Sequence, residues 1–194
     1  MYSLTMSAVL PTVWLTLLLG LVRAQQEFRV ANMFSSRMVL QREPHSPSVW
    51  GLAPPNTRLG VNISLGSESI QVADHVPVGE DGVWTVSLGK WPAGIGYSLH
   101  FMLEDTGDLI TLEDISFGDV WVCSGQSNMV LKVSQVRDSE KEIFLGSQYD
   151  NIRLLKLKLL TNPIEADEVG GFDSDQWVKP TVEFLTGWRS GGAQ

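Results

Sequence analysis

Between residues 28 and 117 the chain is a series of short runs in which apolar residues recur at every second position, each cut off by Gly, Pro, Asn or Asp. A period of two sends alternate side chains to opposite faces of an extended strand, so such runs fold as half-buried strands. Leu59, Val61, Ile63 and Leu65 alternate with Gly60, Asn62 and Ser64, and Trp84, Val86 and Leu88 alternate with Thr85 and Ser87. Turn chemistry separates the runs. Pro54, Pro55 and Asn56 force a bend, Gly66 and Ser67 predict a hairpin, Asp81 and Gly82 predict another, and residues 104–108 join a run at 97–103 to one at 109–112. With shorter runs at 37–41 and 48–51, seven or eight strands in about 90 residues predict an antiparallel β-sandwich. His45, His75 and His100 all fall here, none paired at metal-ligand spacing, so solvated or locally bonded histidines are expected and no metal site.

After Phe117 the pattern changes. Residues 119–123 (Asp-Val-Trp-Val-Cys) form a near-continuous apolar run, which predicts a strand buried on both faces. Met129, Val130, Val133 and Val136 then fall at roughly helical spacing, and Ser139 with Glu142 resembles a capping box opening a short helix that Gly146 stops. Residues 151–160 read as a second strand, with a slip at Leu154 and Leu155. Strand, helix, strand is the opening of a parallel α/β sheet. Cys123, the single cysteine, can form no internal disulfide and is expected as a small buried core residue. Gly170, Gly171, Lys179 and Pro180 mark loops, and residues 186–194 read as a tail. The expected organisation is α+β multidomain: a β-sandwich over 25–117, then the start of an α/β domain over 118–185.

Residues 1–24 read as a secretory signal peptide: an apolar stretch over 7–22, then Val22-Arg23-Ala24 with small residues at −3 and −1, and cleavage after Ala24. The stretch falls short of the ~20 residues needed to span a bilayer, so no stable membrane anchor is expected after cleavage. Asn62-Ile63-Ser64 is a sequon for N-glycosylation on that route. The net charge is −8 and no Lys/Arg cluster offsets it, which argues against nucleic acid as a partner.

Chemistry concentrates in Ser124-Gly-Gln-Ser-Asn-Met129, where the expected buried strand would meet a helix. In open α/β sheets, sites form at the carboxyl ends of strands. There Ser127 would expose its hydroxyl as a nucleophile, and its own N–H could stabilise the oxyanion of an attacked ester. Gly125 would let the backbone turn, and Gln126 and Asn128 could hold the turn or help bind the oxyanion. The competing reading is structural, because Ser, Asn and Gly are also ordinary cap and turn residues.

The stretch Gly118-Asp-Val-Trp-Val-Cys-Ser-Gly-Gln-Ser-Asn-Met129 resembles the nucleophile block of sialate O-acetylesterases in the SGNH hydrolase superfamily. Met38-Val-Leu-Gln-Arg42, Val49-Trp-Gly51, Asp81-Gly-Val-Trp84 and Pro92-Ala-Gly94 are similar to that family's N-terminal β-domain, and Gln176-Trp-Val-Lys-Pro-Thr181 to a segment of its hydrolase domain. The resemblance implies a flavodoxin-like SGNH domain, here truncated, with Ser127 as nucleophile. It also implies O-acetylated sialic acid or sialoglycan as substrate, no metal or organic cofactor, and a secreted or lysosomal location. In the family the catalytic His and its Asp partner lie far beyond the nucleophile, whereas no His follows Ser127 here. Two expectations result: an esterase whose machinery is incomplete in this chain, or an inactive secreted β-sandwich that binds a partner or acts as a decoy.

Overall fold

The computed structural model describes residues 26–158, 161, 163–164, 166, 168–172 and 177–187, without the side chain of residue 130. The expected signal peptide and residues 188–194 of the expected tail lie outside them. The described chain is mostly β. Its strands are β1 (Arg29–Val30), β2 (Val39–Gln41), β3 (Ser48–Leu52), β4 (Arg58–Leu65), β5 (Glu68–Pro77), β6 (Val83–Ser87), β7 (Gly94–Leu103) and β8 (Leu109–Gly118). Two short helices follow, α1 (Ser139–Gly146) and α2 (Val182–Thr186).

The strands form a three-stranded sheet, ordered β1-β3-β6, and a five-stranded sheet, ordered β2-β8-β7-β4-β5. Period-two alternation holds along most of both runs: Leu59, Val61 and Ile63 of β4 and Trp84 and Val86 of β6 are buried, as is Leu88 just past β6, while Asn62, Thr85 and Ser87 face out; Leu65, expected on the buried face, is exposed where β4 runs out into the hairpin turn. The expected hairpins at Gly66 and at residues 104–108 form, with Gly66 at φ 59° and Gly107 at φ 76°, values that glycine adopts without strain.

Two expectations need correction. β2 pairs with β8 in parallel, Val39 opposite Ser116 and Gln41 opposite Gly118, so the five-stranded sheet is not wholly antiparallel. Parallel neighbours need a long connection, and β3 to β7 provide it. Asp81-Gly82 makes a tight turn, with Val83 N–H donating to Asp81 Oδ1 at 3.0 Å and Gly82 at φ 81°, but it closes no hairpin. It carries the chain from β5 in one sheet to β6 in the other. Turn residues dictate a local bend, whereas the choice of sheet depends on which face needs covering.

β8 also runs six residues past the expected end at Leu112. Its early inward residues are Ile110 and Leu112, its later ones Ile115 and Phe117. The phase shift passes through Asp114, whose φ of 55° inserts an irregularity into the β7–β8 ladder.

The two sheets share one apolar core. Trp84 of β6 and Phe101 of β7 are fully buried with ring centroids 5.3 Å apart, which joins one sheet to the other. A second aromatic group sits at one side: Trp91 stacks on Phe117 at 5.4 Å, Tyr97 meets Phe117 edge-on at 5.1 Å, and Trp91 Nε1 donates to the Leu88 carbonyl at 2.7 Å. Gly51 makes the close approach possible, since a Cβ there would lie 2.2 Å from the Arg29 carbonyl oxygen and 2.5 Å from the Trp84 ring.

Polar contacts tie the later chain back to the strands. Glu168 accepts from Arg29 at 2.5 and 3.2 Å and from the Asn32 amide at 3.2 Å. Arg153, its side chain 4% exposed, reaches Asp114 at 3.2 Å and donates to the carbonyls of Asp150 and Ile152. Trp177 Nε1 donates to the Met33 carbonyl at 3.3 Å. The Arg29 hydrogen bond, helped by the Asn32 amide, holds the Glu168 carboxyl below its ordinary value, and Glu168 in turn raises Arg29.

Gly51→Ala is expected to lower the urea unfolding midpoint by the equivalent of about 1–3 kcal/mol, the usual cost of overpacking a core; an unchanged midpoint would contradict the close-approach role. A carboxyl depressed in the folded state contributes stability above its unfolded pKa and loses it as pH falls through the folded one. Limited proteolysis of residues 150–180 should therefore accelerate as pH drops below 4.5, the ordinary value of Glu168. Glu168→Gln should be cut faster than the parent at pH 7, the pair contributing about 1 kcal/mol or less at its partial exposure. The variant should also lack the parent's extra acceleration in acid.

Candidate active site

The candidate nucleophile lies just beyond β8. Where β8 ends, the Gly118 carbonyl still accepts from the Arg42 amide at 3.0 Å, Arg42 pairs with Asp119 at 2.9 Å, and Gln41 Oε1 accepts from the Val120 amide at 3.2 Å. These contacts hold the chain against the end of β2 as far as Val120.

Beyond that point the expected buried strand at 119–123 does not form. Residues 119–123 have no regular structure, and Trp121 and Val122 are 83% and 92% exposed. A strand is held by its neighbours, and among the described residues none flanks this one. The expected second strand at 151–160 is present only as isolated bridges, Leu154 with Val178 and Leu157 with Phe172, with residues 159 and 160 outside the described set. Cys123, expected buried, is exposed for the same reason.

Ser127 opens a single 3-10 turn, Ser127–Val130, whose N-cap is Gln126. The Met129 amide donates to the Gln126 carbonyl at 2.9 Å, and the Leu131 amide to the Asn128 carbonyl at 3.2 Å. Two separate 3-10 turns, Ser127–Val130 and Val133–Gln135, stand where a helix is expected, so little of a helix dipole is available to favour an oxyanion. Gly125 has no left-handed φ; it gives room, since a Cβ there would sit 2.9 Å from Met129 Cγ. Ser127, Gln126 and Asn128 are exposed, and among the described residues their side chains make no hydrogen bond.

The Ser139–Gly146 helix forms as expected, but its cap differs. Asp138, in the left-handed region at φ 56°, takes the N-cap place without a side-chain bond, so the Ser139–Glu142 capping box is not made. α2 is not expected from the sequence and lies at the end of the expected α/β region, reaching the first residue of the expected tail at Thr186. Its signals are Thr181, whose Oγ1 accepts from the Phe184 amide at 3.2 Å, and Gly187 at φ 79° as the C-cap. Lys132 Nζ and Ser134 Oγ donate to the carbonyls of Gly187 and Thr186, both at 3.4 Å, which places α2 beside the segment that follows Ser127.

None of the three histidines is bonded to Ser127. The His100 ring bridges Ser64 Oγ at 2.8 Å and Thr111 Oγ1 at 3.2 Å on the outer face of the five-stranded sheet. His75 lies between Glu104, at 3.0 Å, and Asp74, at 3.5 Å. The donor atoms of these three exposed residues fall within 4.8 Å of one another, a grouping that sequence spacing did not reveal because β5 and the end of β7 supply its parts. It is an exposed surface group in which the imidazole and the Glu104 carboxylate lie within hydrogen-bond distance of each other.

No family model matches the chain. The human sialate O-acetylesterase (Homo sapiens) is 31% identical over 160 residues, which is 81% of this chain and 30% of that protein. The mouse sialate O-acetylesterase (Mus musculus) is 33% identical over 159 residues, 80% of this chain and 29% of that protein. Among solved structures, a carbohydrate acetylesterase from Xanthomonas citri shares the fold at a TM-score of 0.67 and 23% identity, covering 84% of this chain and 34% of its own. The chain thus spans about three tenths of the length of the curated relatives it matches. By descent it is a homologue of the sialate O-acetylesterases, related to them over four fifths of its own length.

Proposed function

We propose that this chain carries the nucleophile-bearing part of a serine esterase acting on O-acetyl esters of sialic acids, with Ser127 as nucleophile. The observation that carries the reading is an exposed Ser127 at the first position of a tight turn, in a homologue of sialate O-acetylesterases. In this reading residues 25–117 are a β-sandwich, and 118–185 the opening of an SGNH hydrolase domain. Residues 1–24 direct the chain into the secretory route, to secretion or the lysosome. Asn62, exposed on β4, carries the glycan.

The chemistry follows from the turn. Ser127 Oγ attacks the acetyl carbonyl while its proton passes to a base, and the carbonyl electrons collect on an oxyanion that the Ser127 N–H can meet. Collapse expels the sugar hydroxyl, which takes up that proton, and water then cleaves the acetyl-serine to acetate. A neutral serine hydroxyl does this slowly, and absence of the base in such a machinery costs ~10⁴–10⁶ in rate. His45, His75 and His100 are placed within or beside the sheets, two of them in bonds of their own. That favours a second reading, a secreted β-sandwich that binds a partner without turnover.

With a chromogenic acetyl ester, the purified chain should turn over at least ~10⁴-fold more slowly than the full-length mouse relative, and Ser127→Ala should remove what turnover remains. Residual turnover unchanged by Ser127→Ala, or a Ser127 that a fluorophosphonate probe does not label, would sink the esterase reading for this chain and leave the second.

A further inference from the structure

The five-stranded sheet carries one group of metal-ligating side chains that the esterase reading does not use. Asp74 and His75 lie near the end of β5, and Glu104 follows β7; all three are exposed. One donor atom from each falls within 4.8 Å of the others, and among the described residues no other three His, Cys, Asp or Glu side chains converge so closely. His75 Nδ1 lies 3.0 Å from Glu104 Oε2, and His75 Nε2 lies 3.5 Å from Asp74 Oδ2.

The backbone builds this grouping. β4 runs between β5 and β7, so side chains of the flanking strands meet only across it. Gly60 leaves that space open, since a Cβ there would meet Asp74 Oδ1 at 4.0 Å and nothing nearer. In β5 the three steps from Ala73 to Val76 oppose two in β4, from Val61 to Leu59, and His75 takes a φ of 54°. Such a bulge re-aims side chains. The His75 amide donates to Asp74 Oδ1 and to Glu104 Oε1, both at 3.1 Å, which gathers the two carboxylates about one centre. Among the described residues neither carboxylate pairs with a Lys or Arg.

An imidazole between two carboxylates is a mixed nitrogen and oxygen donor set. It suits a borderline cation such as zinc, whereas calcium and magnesium take oxygen ligands in larger number. Zinc bonds of about 2.0–2.2 Å set tetrahedral donors roughly 3.4 Å apart, and exposed side chains can close to that spacing. We propose that Asp74, His75 and Glu104 bind a zinc-class divalent cation, with water completing its coordination. The ion clips the bulged edge strand β5 to the turn after β7. The site is independent of the esterase reading.

The test titrates zinc chloride into the untagged, metal-free full chain by calorimetry. One ion per chain should bind with a Kd of about 1–100 μM. His75→Asn removes the imidazole but keeps a residue that tolerates the left-handed conformation, and it should weaken binding at least about 10-fold. Glu104→Gln carries the same expectation without touching the bulge. His45→Gln and Cys123→Ser should leave the affinity unchanged. Saturating zinc should raise the thermal melt of the parent and not that of His75→Asn. No binding at about 1 mM zinc, an affinity that His75→Asn and Glu104→Gln do not alter, binding lost in Cys123→Ser, or calcium bound as tightly as zinc would each overturn the proposal.

Discussion

Trp84 lies against Phe101 because residue 51, on the neighbouring strand, has no side chain. That contact joins a three-stranded sheet to a five-stranded one, and the rest of the molecule hangs from it. With the sheets closed, β8 is fixed at the interior of the larger sheet, between β2 and β7. The chain must therefore leave at Gly118 beside the end of β2, which sets where residues 119–130 emerge. Arg42 and Gln41 then hold the exit point. The position of Ser127 follows from how the β region closes and owes little to the turn around it.

Local patterns carried much of the β region. The alternation in β4 and β6 points to the buried residues, because a half-buried strand reports its own two faces, and it fails only at Leu65, at the strand's end beside the turn. Sequence was silent wherever the outcome depended on a distant segment. The Asp81-Gly82 turn looks the same whether the next strand pairs with the last or crosses to another sheet. The phase change at Asp114 and the parallel pairing of β2 with β8 belong to long-range registry. Arg29 and Glu168 are 139 residues apart, and nothing in either neighbourhood announces the pair.

The misreading at 119–123 has a different cause. An apolar run predicts burial on the premise that neighbours are at hand to cover it. Val120, Trp121 and Val122 carry the composition of an interior strand, yet the described chain offers them no flanking strand, so the same residues stand in water. Cys123 is exposed through the same misplaced premise.

The same division separates ancestry from chemistry at Ser127. A tight turn and an exposed hydroxyl make Ser127 a candidate nucleophile in a homologue of esterases, but a hydroxyl needs a base, and the described histidines are engaged on the β sheets or lie in their loops. A paired β unit that presents an uncovered segment around Ser127 accounts for these features. Hydrogen exchange of the full native chain, followed by mass spectrometry, tests that account most directly. It predicts strong protection for the paired strands β4, β7 and β8 and near-complete exchange within seconds for amides 121–127. Comparable protection at 121–127 would mean that the segment is already covered, and would contradict it.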